Sequence, residues 1–290
     1  MKIILSLTLL FLVTGSLVVA QKDDEATRKL WDTAFISSSK AKKASSHRRS
    51  RSKYRIATPN VPVDNVAPDS VVGVTIWRLR PANRSDSGER LIVHDDSATK
   101  EWVPERISAN TKLGPGDRLR ISVEAARSGY LYVIDRELYA DGSLGEPYLI
   151  FPTTRTLNGD NQVSVGKLAE IPAQDDSPPF FTIKKSRPDQ AGEVLSVLVT
   201  PVPLEGVQVS DKAQKLSDAQ VASWEKSWST NVGRLEMESV GHAWTKEEKD
   251  AGTNTRALTA TAPAPQLLFY RPNLKSNDAM FVKLKLSYRK

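Results

Sequence analysis

The fold of this chain is decided by residues 116–152, which read GDRLRISVEAARSGYLYVIDRELYADGSLGEPYLIFP. From Arg118 to Ala125 the apolar and polar side chains alternate, as they do in a strand with one buried face. Residues 130–135 are rich in aromatic and β-branched side chains, and such residues favour a second strand. Gly129 lies between the two runs and supplies backbone freedom for a tight reversal. The stretch therefore predicts a β-hairpin.

The register of this predicted hairpin follows from its side chains. A loop with an even number of residues places Val123 opposite Tyr132, so that the apolar residues of both strands share one face. The same register places Arg120 opposite Asp135 on the other face, where an ion pair contributes little at a surface. A loop with an odd number would place polar residues beneath the tyrosines instead. We therefore expect Tyr130 and Tyr132 to lie on the core side.

A third strand is predicted at residues 148–151, where a short apolar run is closed by Pro152. Asp141-Gly142 is a turn signal between the second and third strands. Since the strands are needed to build the sheet, the connecting loop 137–147 is the part of this region that we expect to carry function. Its candidate binding residues are Glu137, Tyr139, Asp141 and Tyr148.

The motifs GDRLRISVEAARSGYLYVIDR, ADGS and YLIFP are followed by Asn161-Gln162-Val163, Gly166, Ile171-Pro172 and a β-rich run at 192–200. Over about residues 113–203 this pattern resembles domain-of-unknown-function family 4384 of bacterial proteins. The resemblance implies a β-rich module of unestablished activity, which occurs alone in exported proteins or attached to signalling and protease domains. It implies no catalytic residue, cofactor or metal. The spacer 137–147 is longer than the turn expected for the family.

The N-terminus has the pattern of a secretory signal. Lys2 precedes an apolar run at 3–13, and Val18-Val19-Ala20 offers small residues for cleavage after residue 20. A membrane anchor fits less well, because the apolar stretch is short and interrupted. The chain has no cysteine, which excludes a lipid-attached cysteine, disulfides and thiol chemistry. We expect an exported bacterial protein, periplasmic or extracellular, that is not a lipoprotein and has no integral membrane segment after cleavage.

The positive charge of the chain belongs to one segment. The formal net charge is +7, yet residues 40–55 contain eight Lys or Arg and no acid, so removing them and Lys2 leaves about −2. This Ser-rich basic segment has little to bury and is predicted to be disordered. It is either a solvated spacer or a contact for a polyanion. The candidate polyanion contacts are Lys40, Lys42, Lys43, Arg48, Arg49, Arg51, Lys53 and Arg55.

Three helices and several further strands complete the prediction. Residues 23–36 place apolar side chains on one side of a short helix, which we expect to dock on its own domain. Ser217 begins a convincing helix with Val221, Trp224 and Trp228 in a packing stripe, and Thr245 begins a shorter one. Strands are expected at residues 72–79 paired with 91–93, at 102–107, 162–165, 168–171, 180–184 and 194–200, and at 267–270 and 280–288.

The domain organisation follows from these elements. Residues 1–20 form the signal, 21–56 a short helix plus a basic linker, and 57–290 a mainly β domain with a helical insertion at 211–252. The fold class is an antiparallel β-sandwich-like domain with one or two short helices inserted before the C-terminal strands. Two small domains in place of one remain an alternative.

The sequence contains few residues and motifs that are typical of a catalytic site. His47, His94 and His242 are the three histidines, and the chain lacks the motifs of serine hydrolases, phosphate loops, zinc proteases and dinucleotide sites. His94-Asp95-Asp96 is the densest group of metal-ligand residue types, but a solvated turn explains it better. Three hypotheses stay open. We prefer a non-catalytic exported module that binds an envelope protein or polymer; the others are an extracytoplasmic hydrolase and a polyanion-binding adhesin.

Overall fold

A computed structural model describes residues 30, 34, 54–58, 60–63, 66–84, 86, 90–95, 98–238, 240–253, 258 and 262–289. In these residues most of the regular structure is antiparallel β-strand, arranged in two sheets, and two short helices lie before the last two strands. This confirms the mainly β, sandwich-like class predicted from the sequence.

The first sheet is built around its longest strand, β2 (Val71–Pro81). β6 (Arg118–Ala125) pairs along one side of β2, while β15 (Leu267–Tyr270) and β4 (Ala98–Arg106) share the other side. Beyond β15, β14 (Gly233–Met237) pairs with β15 and β1 (Tyr54–Ile56) pairs with β14. β3 (Leu91–Asp95) pairs with β4. On the far side of β6, β10 (Leu168–Ile171) and β11 (Phe181–Thr182) both pair with β6.

The second sheet is centred on β12 (Gln190–Thr200), which pairs with β7 (Gly129–Tyr139) and β16 (Met280–Tyr288). From Val194 to Thr200 this strand is apolar on both faces, as is typical of a strand at the centre of a sheet. The shorter strands lie outside these three: β8 (Tyr148–Phe151) and β9 (Gln162–Val163) on β7, β13 (Gln214–Lys215) on β8, and β5 (Lys112–Leu113) parallel to the end of β16.

The two sheets pack face to face over one apolar core. Ile121 of β6 and Val74 of β2 face this core from the first sheet, and Val133, Val197 and Leu284 face it from the second. Both sheets also join a C-terminal strand to an earlier part of the chain, since β2 pairs with β15 and β12 with β16. The segment 211–252, predicted as a helical insertion, adds β13 to the second sheet and β14 to the first. It is therefore an integral part of the sandwich.

The predicted hairpin is wrong, although its two strands lie where they were predicted. β6 pairs with β2, β10 and β11, whereas β7 pairs with β8, β9 and β12, so the reversal at residues 126–128 carries the chain from one sheet to the other. Leu131 and Val133 face the inner core, while Tyr132 and Ile134 pack on the outer face of the second sheet. Because both faces of β7 are covered, its side-chain pattern does not specify the partner strand.

The ion pair predicted between Arg120 and Asp135 is also wrong. Arg120 lies opposite Trp77 of β2 and binds Glu170 of β10, with its side chain 1% exposed. Asp135 lies in the other sheet, opposite Leu195 on one side and Tyr148 on the other. The true hairpin partner of β7 is β8, and the predicted turn at Asp141-Gly142 connects them; Gly142 has a φ of +87°.

The helices predicted to begin at Ser217 and at Thr245 are confirmed. In α1 (Asp218–Trp228) the Ser217 side chain accepts the Gln220 N–H, and Val221 is buried on the outer face of the second sheet. In α2 (Lys246–Gly252) Thr245 and Glu248 form a complete capping box. Other expectations are corrected: β3 pairs with β4 and not with β2, and β1, β5, β13 and β14 were not predicted.

The N-terminal predictions are only partly within the described residues. Leu30 and Ala34 are buried against Val71, Leu268 and Tyr270, as expected for a segment that docks on its own domain. The rest of the helix predicted at 23–36, the signal at 1–20 and the basic residues from 40 to 53 lie outside the described residues. The strand Tyr54–Ile56 falls in the predicted linker and forms an edge of the first sheet.

Candidate tyrosine–carboxylate binding surface

The inner face of the second sheet changes from apolar to polar side chains along β7. Leu131 and Val133 belong to the apolar core, but the next residues in the same row are Asp135, Glu137 and Tyr139. Neighbouring strands extend this polar end of the row, because Glu193 lies opposite Glu137 and Tyr148 lies opposite Asp135. We call the group the tyrosine–carboxylate surface; it consists of Asp135, Glu137, Tyr139, Tyr148, Glu193 and, at its buried edge, Tyr288, which is 4% exposed.

Hydrogen bonds fix the orientation of several of these side chains. The Tyr139 hydroxyl donates to Glu137 Oε2 at 2.7 Å, and the Tyr288 hydroxyl donates to Glu193 Oε1. The guanidinium of Arg187 lies over the Tyr139 ring, 4.1 Å from its centroid. A cation of this chain thus already occupies one aromatic face of the surface.

Asp135 is the least satisfied member of the surface. Its Oδ1 is buried and has no hydrogen-bond partner in the described part of the chain. Burial, followed by the nearby Glu193 and Glu137, raises the pKa of Asp135 to about 8. Burial also raises the pKa of Glu193, against the lowering effect of the Tyr288 hydrogen bond. The surface therefore concentrates acidic side chains that disfavour one another's ionisation, and an added positive charge would stabilise their ionised forms.

The structure brings three of the four candidate binding residues together. Glu137, Tyr139 and Tyr148 belong to the surface, and Tyr148 is 42% exposed. Asp141 does not: it lies at the tip of the turn, where its Oδ1 accepts the Ser143 N–H at 2.9 Å and the hydroxyl at 2.6 Å. These bonds lower the pKa of Asp141 and give it a structural role in the turn.

Asp135, Glu193 and Tyr288 were not predicted as members of a site. The alternation from Leu131 to Tyr139 contained part of the signal, because it places Asp135 and Glu137 on one face. Glu193 and Tyr288 lie 56 and 151 residues further along the chain than Glu137. Only the pairing of β12 with β7 and β16 brings them to this place.

The other sequence candidates have different positions. Arg55 Nη2 lies 2.8 Å from Glu236 Oε2, and Glu236 is 1% exposed, so this candidate polyanion contact ties β1 to β14. Lys40, Lys42, Lys43, Arg48, Arg49, Arg51 and Lys53 lie outside the described residues, and their binding to a polyanion stays a prediction. His242 is exposed.

The described residues contain no group of three or more His, Cys, Asp or Glu side chains placed to hold a metal ion. His94 and Asp95 are in β3, next to Asp96, which is outside the described residues. None of the described helices is both long enough and apolar enough to cross a bilayer.

A second concentration of charge lies buried on the outer face of the first sheet, beneath α2. Arg106 binds Glu248 of α2, and its Nη1 donates to the Ala264 carbonyl at 2.5 Å. Arg120 Nη2 lies 2.8 Å from Glu170 Oε2 and 3.1 Å from the Pro172 carbonyl. Because all four side chains are almost fully buried, the two pairs hold α2 and β10 in fixed positions.

Aromatic side chains complete this layer. Arg106 lies over the Trp77 ring at 5.2 Å from its centroid, and Arg120 over the Trp244 ring at 5.5 Å. The Trp77 indole N–H donates to the Ser122 hydroxyl at 2.7 Å. Trp77 and Trp244 thus cover polar side chains of β6 that face away from the inner core.

A fifth charged group, Glu124, is buried in the same layer. Burial raises its pKa to about 8, although Arg106 acts in the opposite direction. With a pKa of about 8, Glu124 is mostly protonated at neutral pH. The layer is a buried, interlocked part of the fold.

Comparisons of this chain with family models, with curated proteins and with solved structures found no match. The resemblance of residues 113–203 to domain family 4384 therefore stays a prediction. The geometry defines the chain as an antiparallel β-sandwich with an acidic, tyrosine-rich surface at one end.

Proposed function

We propose that this protein is an exported, non-catalytic binding module that holds a basic segment of another envelope polypeptide on its tyrosine–carboxylate surface. The observation that carries this proposal is the convergence of three carboxylates and three tyrosines on neighbouring strands of one sheet. Support for export comes from the signal pattern at residues 1–20.

The chemistry of the surface favours arginine or lysine side chains as ligands. Carboxylates accept charge-assisted hydrogen bonds from guanidinium and ammonium groups, and tyrosine rings attract the same cations through their faces. Arg187 on Tyr139 shows this contact within the chain itself. Tyr148 lies opposite Asp135 and is partly exposed, so it can offer a second ring to an arriving cation.

Direct binding tests the recognition step. We would titrate the full chain with a nona-arginine peptide and compare Glu137→Gln/Glu193→Gln with the matched double variant Glu205→Gln/Glu247→Gln, whose residues are exposed elsewhere. The surface variant should bind about tenfold more weakly, because it loses two charge-assisted contacts. The control should lose less than about twofold through net charge alone. Equal losses in both variants would show that the surface does not recognise the peptide.

Crosslinking in the native cell tests the biological partner. A photocrosslinker in place of Tyr148 should capture an envelope polypeptide, and the crosslinked partner segment should be rich in Lys and Arg. The same probe at Lys226, an exposed residue of α1, is the control position. A module whose Tyr148 and Lys226 positions gave the same neighbours would not use this surface.

A further inference from the structure

Two adjoining clefts lie at the opposite end of β7 from the tyrosine–carboxylate surface. Each has a volume of about 320 Å³, and both are lined by Gln162, Val163 and Lys167. The first extends to α2 and the second to the start of β7. From Tyr130 to Glu137 the strand spans about 23 Å at roughly 3.3 Å per residue, so the clefts are well separated from that surface. We call the two clefts together the β9 groove.

The β9 groove combines an apolar floor with polar walls. Val163, Leu168 and Ala169 are buried residues of the floor. Amide side chains line the first cleft, and Tyr130 lines the second. In the described part of the chain no side chain forms a hydrogen bond or ion pair with the side chains of Asn158, Gln162 or Lys167. These groups are therefore free to bind a ligand.

The charges of the β9 groove are nearly balanced. Lys167 is opposed by Asp160 and Asp175, and the other polar walls are neutral amides and hydroxyls. Such a site does not select strongly for charge. Amides both donate and accept hydrogen bonds, as sugar hydroxyls do, and an apolar floor suits the C–H face of a sugar ring. The extended two-cleft form suits a linear ligand.

Backbone strain is found at the rim of the first cleft. Leu157, Asn158 and Gly159 are consecutive residues with φ values of +51°, +53° and +81°. A left-handed conformation costs a non-glycine residue about 1 kcal/mol or more, and such strain is often associated with function. Asn158 thus has a conformation that glycine would adopt more easily, while its amide lines the cleft.

We propose that the β9 groove binds a linear neutral glycan. The site is independent of the basic-segment proposal, because it shares no residue with the tyrosine–carboxylate surface. If both are correct, the module connects a polysaccharide at one end of β7 to a polypeptide at the other.

The experiment titrates the full chain with two soluble neutral probes, N-acetylchitohexaose and cellohexaose, by calorimetry and by NMR. At least one should bind. Gln162→Ala/Lys167→Ala should weaken that binding about tenfold, since it removes hydrogen bonds that together contribute roughly 1.4 kcal/mol. The control Gln208→Ala/Lys226→Ala changes exposed residues outside the groove and should leave binding unchanged.

Glycine substitutions separate binding from folding. Asn158→Gly should raise the unfolding temperature and weaken sugar binding about fivefold, because it relieves strain and removes an amide. Asn231→Gly is matched to it: Asn231 has a φ of +57° and is exposed outside the groove, so it should stabilise without a change in binding.

Three results would overturn the glycan proposal. The first is absence of binding of both sugars at about 5 mM, a concentration that detects a Kd of about 1 mM. The second is binding that survives the groove substitutions. The third is a peptide that shifts the groove signals while neither sugar does, which would make the ligand a polypeptide.

Discussion

Arg120 Nη2 lies 2.8 Å from Glu170 Oε2, and the two side chains are 1% and 2% exposed. This pair joins β6 to β10 beneath α2, and Arg120 Nη1 has no hydrogen-bond partner in the described part of the chain. Removing two such charges from water is costly, so the pair contributes more to the specificity of the fold than to its stability. It fixes which elements cover the outer face of the first sheet.

Breaking this pair from one side should be severe. Glu170→Gln leaves the Arg120 guanidinium buried without a counter-charge, so we expect a loss of about 3–5 kcal/mol in the free energy of unfolding, measured with urea. The double variant Arg120→Leu/Glu170→Leu should lose less than Glu170→Gln alone, because no charge remains unpaired. Asp189→Asn, which breaks the exposed pair with Arg187, should cost less than about 1 kcal/mol. A double variant that loses more than the single one would contradict this account.

The buried Glu124 should make stability depend on pH. Its folded pKa is raised to about 8 from an ordinary value of 4.5, so the folded state keeps a proton that the unfolded state has lost. The stabilising contribution is complete below pH 4.5 and is lost as the pH rises through 8, with a slope of up to about 1.4 kcal/mol per pH unit. Glu124→Gln should flatten this slope in urea titrations between pH 5 and 8. Asp141→Asn, at the exposed turn, should leave the slope in this window unchanged.

Asp135 should couple the binding of a basic ligand to proton release. A cation near its carboxylate favours the ionised form, so binding lowers a pKa that is about 8 in the free protein. The affinity for nona-arginine should therefore rise between pH 6 and 8. In Asp135→Asn this rise should be reduced, and calorimetry in buffers of different ionisation enthalpy should show less proton release. Unchanged proton release in Asp135→Asn would place the coupling at another group.

Gly192 tests the close approach of β12 and β16. A Cβ atom at this position would lie 2.0 Å from the Leu286 carbonyl oxygen, which belongs to the backbone of the paired strand. Gly192→Ala should therefore cost about 1–3 kcal/mol in thermal or urea unfolding. At Gly145 the nearest atoms, at 3.1 Å, belong to the side chains of Glu137 and Tyr139, which can adjust. Gly145→Ala should cost less, and a reversed order would contradict the strand packing.

The sequence predicted local structure well and pairing poorly. The bounds of β6, β8, β10, β15 and β16 and both helix caps follow from alternation, turn residues and capping boxes, which are properties of neighbouring residues. The partner of β7 did not follow. Its two apolar faces suit either a hairpin with β6 or a place in the other sheet, and only the assembled core distinguishes these.

The candidate site shows the same contrast between local features, which the sequence predicts, and long-range contacts, which it does not. The sequence indicated a functional loop after β7, whereas the structure places Glu137 and Tyr139 in β7 and Tyr148 in β8, where all three belong to the tyrosine–carboxylate surface. Asp141 was selected because it is polar and lies in a loop, but its hydrogen bonds to Ser143 are local. Asp135 was assigned to a surface ion pair because the hairpin was assumed, and its partly buried position beside Glu193 required the true sheet.

By itself, the sequence determined the mainly β class, most of the strand positions, the two helix starts and the concentration of positive charge in residues 40–55, because each is set by the order of nearby side chains. The tertiary structure alone decided that Arg120 pairs with Glu170, that Tyr132 packs outside the sandwich, and that Glu137 meets Glu193. These contacts join residues that are distant in the chain, and they arise because two sheets must cover each other's apolar faces.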